Sequence, residues 1–252
     1  MSHSPLMVHT IPDVAMISDR KRFITRACES RTVLHLGCAG WPLTEESLRD
    51  GTLLHLVLSK VSARLFGIDL CEQGLSVLRN HGFTDLIQWD VEEIGQLRLE
   101  TPPEVIVAGE ILEHLSNPGL FLQGISKLMT HAKCTLIVTV PNAFSIRHFA
   151  SLMLRKTELV NPDHTAYYSF KTLSELINRH AFQVREFYNY TEVSTKSSPV
   201  NRFAKRLLNS TVLRVCPQLS EGIIAVVEKR NEGGAAPSFH DHAATGVPNY
   251  GC

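Results

Sequence analysis

The stretch Thr32-Val33-Leu34-His35-Leu36-Gly37-Cys38-Ala39-Gly40 decides the fold. Five residues of β character end abruptly at a turn of small residues, and Pro42 followed by Thr44-Glu45-Glu46 opens a helix expected to reach about Ser62. A helix capped by Ser18, with Phe23, Ile24, Ala27 and Cys28 at helical spacing, precedes it. Downstream the alternation repeats. Strands are expected at 64–68, 86–89, 104–108, 136–140, 183–188 and 222–228, with helices at 72–81, 118 to about 130, and 172–180. Strands alternating with helices imply a parallel sheet covered on both faces, so the fold class is α/β: doubly wound, mostly parallel and seven-stranded, with a helical lid and insertion. The last strand need not be parallel.

The 252 residues, 44% apolar, suffice for one sizeable core. Lys plus Arg (25) equals Asp plus Glu (25), so no overall field draws nucleic acid, which is not expected as a partner. Six cysteines without a CxxC pair fit reduced thiols. No apolar run approaches the roughly 20 residues of a membrane span, and the polar start lacks a signal-peptide core, so a cytoplasmic protein is expected. The organisation reads as a mobile segment 1–17, one domain 18–230 with a lid at about 143–170 and an insertion at about 191–220, and a disordered tail 231–252.

A turn of small residues after a strand lets a ligand approach the backbone, and the next helix offers free N–H groups. Asp69 ends the second strand, beside that turn in a doubly wound sheet, where it can accept two ribose hydroxyls. Asp90 ends the third and could bond an adenine amino group, with Leu70 and Val91 as walls around the ring. Each has a plainer reading, as a turn cap or a packing residue.

These residues resemble the class I S-adenosylmethionine-dependent methyltransferases, within them the branch like ubiquinone-biosynthesis O-methyltransferases. The resemblance covers about residues 30 to 190. It is carried by Val33–Cys38, Gly67-Ile68-Asp69, Trp89-Asp90-Val91, Glu110-Ile111-Leu112-Glu113-His114-Leu115, Val140-Pro141-Asn142, and Asp163-His164 followed by Ser169–Leu173. It implies S-adenosylmethionine as cofactor, with S-adenosylhomocysteine as product. The cofactor residues it implies are His35, Gly37, Cys38, Ala39, Gly40, Asp69, Leu70, Asp90, Val91 and Glu110. Three departures stand in the first motif: His35 where the family has an acid, and Ala39 and Trp41 where it has glycine. The set Glu110, Glu113, His114 and His164 also matches the metal site of small-RNA 3′-terminal 2′-O-methyltransferases; metal-free relatives keep the Glu-His pair, and no metal is assigned.

Methyl transfer asks for alignment and exclusion of water, and a hydroxyl acceptor must lose its proton. An imidazole, with an ordinary pKa of about 6.5, suits that task. His114 and His164 are therefore the candidate bases, with Glu113 and Glu110 beside them and His148 a third imidazole. Phe144–Lys156 reads as a mixed apolar and basic lid helix, and Tyr167-Tyr168-Ser169-Phe170 adds aromatics. Around residues 202–215 a basic amphipathic helix could cover substrate, join two copies or touch a membrane surface. The expected function is O-methylation of a small-molecule or sugar hydroxyl by a monomer or homodimer. The alternatives are a metal-dependent 2′-O-methyltransferase acting on an RNA 3′ end and a catalytically silent binding protein of this fold.

Overall fold

The computed structural model describes residues 9, 11, 14–130, 134–191 and 211–230. Its strands are β1 (Ala15–Ile17), β2 (Thr32–Leu36), β3 (Arg64–Asp69), β4 (Leu86–Gln88), β5 (Val105–Gly109), β6 (Thr135–Pro141), β7 (Phe182–Tyr190) and β8 (Gly222–Lys229). The helices are α1 (Arg20–Cys28), α2 (Thr44–Arg49), α3 (Leu54–Ser59), α4 (Glu72–Asn80), α5 (Pro118–Leu128), α6 (Ile146–Arg155), α7 (Phe170–Asn178) and α8 (Val212–Val215). The strands form one sheet in the order β1-β7-β8-β6-β5-β2-β3-β4. Every pairing is parallel except those of β8 with β6 and β7. Strand order reverses beside β2, between β3 and β5, and such a switch point opens a crevice at the strands' carboxyl ends.

The alternation within β2 shows how both faces are filled. Leu34 and Leu36 join Ile106, Ala108, Leu136 and Val138 in a core with Phe121 and Leu122 of α5 and Leu173 of α7. Val33 joins Val105, Val107 and Ile137 in a second core, closed by Ile24 and Cys28 of α1 and Leu58 of α3.

Three expectations change. Residues 15–17, assigned to a mobile lead-in, form edge strand β1, with Ala15 opposite Tyr188 and Ile17 opposite Tyr190. Asp19, not Ser18, caps α1; its carboxylate accepts the Arg22 N–H at 2.9 Å. The helix expected from Pro42 to Ser62 is two short helices, α2 and α3, because the backbone turns at Gly51 with φ +66°. Most of the insertion and the tail 231–252 lie outside the described residues; within 211–220 stand α8 and a 3₁₀ turn, Pro217–Leu219. The Asn142 side-chain amide ties this piece to the end of β6, donating to the carbonyls of Gln218 (2.7 Å) and Ser220 (3.0 Å).

Candidate functional site

At the end of β2 the backbone takes left-handed conformations at Gly37 (φ +67°) and Gly40 (φ +63°), so the turn folds tightly against the neighbouring strand. Asp69 Oδ2 accepts the Ala39 N–H and Oδ1 the Cys71 N–H, both at 2.9 Å. Each oxygen has one backbone donor and keeps a further lone pair. Asp90 caps the 3₁₀ turn Val91–Gln96 by accepting the Glu92 N–H at 2.9 Å, and the Trp89 N–H donates to the Asp69 carbonyl at 3.1 Å. The structure thus brings Asp69, Asp90 and the small-residue turn to one edge, with Leu70 exposed and Val91 half-buried nearby. The methyl of Ala39 is fully buried, and α4 makes room for it: a Cβ on Gly74 would stand 2.6 Å from the Ala39 Cβ. The indole of Trp41 is half exposed.

His35 is placed differently from a residue open to ligand. Its ring is buried and its Nδ1 lies 3.2 Å from Nδ1 of His55 on α3, with the rings stacked at 5.4 Å. Burial, then His55 and Arg20, hold the His35 pKa well below the ordinary value, and burial brings His55 down to about 4. Both are neutral imidazoles at pH 7, and the pair supports the turn from inside the fold.

Glu110 follows β5 with φ +54°, a strained conformation for a residue with a side chain. Its backbone N–H donates to the Thr139 carbonyl at 2.9 Å. Its Oε1 accepts the Thr139 hydroxyl at 2.8 Å and the Tyr190 hydroxyl at 2.7 Å, and lies 3.1 Å from Arg20 Nη1. Tyr190 reaches it because Gly222 on β8 is bare: a Cβ there would fall 2.2 Å from the ring. Sequence reasoning missed Arg20, Thr139 and Tyr190; the one available signal was Thr139, a lone hydroxyl inside the buried strand Leu136–Val140. Next to Glu110, the side chain of Ile111 packs on the glycine turn, where a Cβ on Gly37 would stand 3.0 Å from its Cδ1.

Glu113 and His114 lie on the 3₁₀ turn Leu112–His114, over which the segment carrying His164 is clamped. The Thr165 N–H donates to the Glu113 carbonyl at 2.7 Å, its hydroxyl to the Leu115 carbonyl at 2.7 Å, and the Tyr168 hydroxyl to the Leu112 carbonyl at 3.3 Å. The rings of His114 and His164 meet edge to face at 4.6 Å. Glu113 is 1% exposed, and neither carboxylate oxygen has a hydrogen-bond partner among the described residues. Burial, then the charge of Glu110, pushes its pKa up to about 8. Burial, then His114, lowers that of His164. One ligand atom from each of Glu113, His114 and His164 lies within 4.8 Å of the others. The expected four-residue group is therefore a trio, with Glu110 held apart on Arg20, Thr139 and Tyr190.

Beside His164 opens a cavity of about 200 Å³ that also touches Arg147, His148, Tyr167 and Glu221. An apolar cavity of about 400 Å³ shares His148, Leu159 and Tyr167 with it and continues along Phe149 and Leu152. A separate cavity of about 280 Å³ lies against His55, Arg64 and Asp85, at the start of β3 and away from these groups.

No protein-family profile matches the chain. A ubiquinone biosynthesis O-methyltransferase from Nitrosococcus oceani is 32% identical over 103 residues, 39% of each chain. Its namesake from Hahella chejuensis is 29% identical over 107 residues, 40% of each. The chain thus spans about two fifths of the length of these curated relatives. Among solved structures, a SAM-dependent methyltransferase from Archaeoglobus fulgidus superposes with a TM-score of 0.52 at 16% identity, over 83% of this chain and 90% of that one. The small RNA methyltransferase HEN1 superposes with 0.50 at 18% identity, over 86% of this chain and 26% of its own. The likeness is one of fold, which in this chain is a doubly wound sheet closed by one reversed strand.

Proposed function

We propose that this chain, which has the fold of the S-adenosylmethionine-dependent methyltransferases, transfers a methyl group to the hydroxyl of a small molecule or sugar. One observation carries the reading. The turn with Asp69 and Asp90 and the Glu113–His114–His164 trio stand at the carboxyl ends of one sheet, joined where Ile111 packs on Gly37. The residues fit the cofactor: both Asp69 oxygens keep a lone pair for a ribose hydroxyl, and Gly74 accommodates the methyl of Ala39. The Arg20–Glu110 pair offers one charge of each sign to the zwitterionic amino-acid end. S-adenosylmethionine, when bound, supplies an electrophilic methyl on a sulfonium.

The protein's own residues align the acceptor and take its proton. His164, neutral at pH 7, lines the cavity in which an acceptor hydroxyl would lie, and its free imidazole nitrogen is suited to accept the hydroxyl proton. His114 packs edge-on against it and restricts its orientation. The apolar continuation along Phe149 and Leu152 favours an acceptor with an uncharged, apolar part. Incubation with methyl-labelled cofactor and a panel of phenols, catechols and sugars tests this. His164→Ala should keep S-adenosylhomocysteine affinity and lose at least about 100-fold in transfer, the usual share of a positioned base; transfer unaffected by His164→Ala contradicts the assignment.

A second reading is favoured by the partnerless oxygens of Glu113. A divalent cation would be held by Glu113, His114 and His164, and would lower the pKa of a vicinal diol such as an RNA 3′-terminal ribose. A rise in melting temperature with Mn²⁺ that Glu113→Gln abolishes supports it, and no rise leaves the metal-free reading.

A further inference from the structure

The sheet has a second edge. The amino ends of β3 and β4 lie opposite the carboxyl ends that carry Asp69 and Asp90, and there the cavity of about 280 Å³ opens between the end of α3 and the loop 82–85. Polar groups make up most of its lining, with the ring of Phe83 as an apolar wall. Two of those polar groups lack partners. The Ser62 hydroxyl oxygen is buried and bonds no described residue. His55 is 1% exposed; its Nδ1 meets His35, and no described residue bonds its Nε2. The ring is fixed in place by packing, because Gly67 is bare where a Cβ would stand 2.7 Å from the His55 Cε1, and Phe83 tilts against it at 5.1 Å. Unmatched buried polar atoms are costly, and two on one cavity favour an occupant that bonds them.

The lining also selects the chemistry of that occupant. Its charges are already matched: Arg64 donates to Asp85 at 3.4 Å, and to Glu100 and the Thr101 hydroxyl at 3.0 Å, while burial keeps His55 neutral at pH 7. A phosphate or carboxylate would meet no uncommitted cation in this lining, so the occupant is uncharged. The hydroxyls of Ser62 and Thr84 each donate and accept, the Asp85 carboxylate accepts, and His55 Nε2 does either according to its tautomer. Hydroxyl groups answer all of these, and the apolar face of a ring answers Phe83. The volume suits a single ring.

We propose that this cavity is a binding site for an uncharged, hydroxyl-bearing ring of monosaccharide size, separate from the cofactor turn and the acceptor cavity, with Ser62 and His55 Nε2 as its buried hydrogen-bond partners. The inner imidazole also links the site to the cofactor turn. With both rings neutral, the 3.2 Å contact between Nδ1 of His55 and Nδ1 of His35 needs one proton between them, so the role that Nε2 of His55 takes toward an occupant fixes the tautomer of both rings. An occupant therefore registers at His35, two residues before Gly37.

Magnetic resonance of the histidine ring nitrogens in the full chain tests this, with D-glucose and D-ribose as probes. No cofactor is added, so the outcome does not depend on the methyltransferase reading. Either sugar should move the ring signals of His55 and His35 saturably in the millimolar range and leave those of His114 and His164 in place. Ser62→Ala should weaken that binding by about three- to tenfold, the worth of one hydrogen bond. Parent-like signals of His114 and His164 in the sugar-free variant show that it is folded. The proposal is overturned if neither sugar moves His55, which would leave the cavity to water, or if Ser62→Ala binds as the parent does. It is overturned equally if His148 and His164 respond in place of His55, which would put the sugar in the acceptor cavity.

Discussion

Glu110 rests on three donors that converge on a single carboxylate oxygen, and they come from three elements: α1, β6 and β7. Tyr190→Phe removes one of them at little cost in volume and should weaken S-adenosylmethionine binding by roughly three- to tenfold, about 1 kcal/mol, in a calorimetric titration. Gly222→Ala drives a methyl into the Tyr190 ring and should cost more; an affinity equal to the parent's would show that Tyr190 does not position Glu110. The buried histidine pair makes a different demand. The folded-state pKa values of His35 and His55 are lowered, so the stability they confer is fully present above the ordinary value of about 6.5 and is lost as pH falls from there toward 4. Melting temperature should drop across that window, and the double variant His35→Asn/His55→Asn should flatten the drop. Asp69, Asp90, Glu113, His114 and His164 were legible in the sequence because strand ends and turn-forming stretches announce themselves locally. Arg20 and Tyr190 were not, since Arg20 meets Thr139 across 119 positions and Tyr190 meets Glu110 across 80.

Between elements, α4 packs closely against the glycine turn. Gly74→Ala would bring its Cβ to 2.6 Å from that of Ala39 and should destabilise by about 1–3 kcal/mol, as overpacking of a core does, while weakening cofactor binding. The compensating pair Ala39→Gly/Gly74→Ala should recover most of both losses, because the methyl has only changed sides; no recovery would place the effect in α4 itself. The sequence marked Ala39 as a departure but not its partner, since Gly74 lies in an ordinary amphipathic helix whose period does not say what crosses it. Helical periodicity likewise identified α6 as apolar and basic without saying which face is attached, and its polar face carries the long-range ion pair of Arg147 with Glu221. The split between α2 and α3 was hidden because Gly51 can interrupt a helix or sit inside one.

Across the whole molecule, strand–helix alternation was enough to give a doubly wound sheet, and the reversed β8 follows from an insertion that allows its strand to enter from either end. Edge strand β1 escaped notice because three residues carry too little periodicity to read. Among the described residues β8 is the last strand, and just after it Arg230 donates to the carbonyls of Asn178 and Phe182 at 2.9 Å. A chain ending after Arg230 should therefore keep its melting temperature and its cofactor affinity; a large fall in either would show that residues 231–252 contribute to the domain. The central claim is that the altered turn Gly37–Trp41 still binds the cofactor through Asp69, and calorimetric titration of the full chain and of Asp69→Ala with S-adenosylhomocysteine tests it most directly. Micromolar binding by the parent, weakened more than about tenfold (roughly 1.5–3 kcal/mol) in the variant, is the expected result. Folded parent protein that binds no S-adenosylhomocysteine, or a variant that binds it equally well, would contradict the claim.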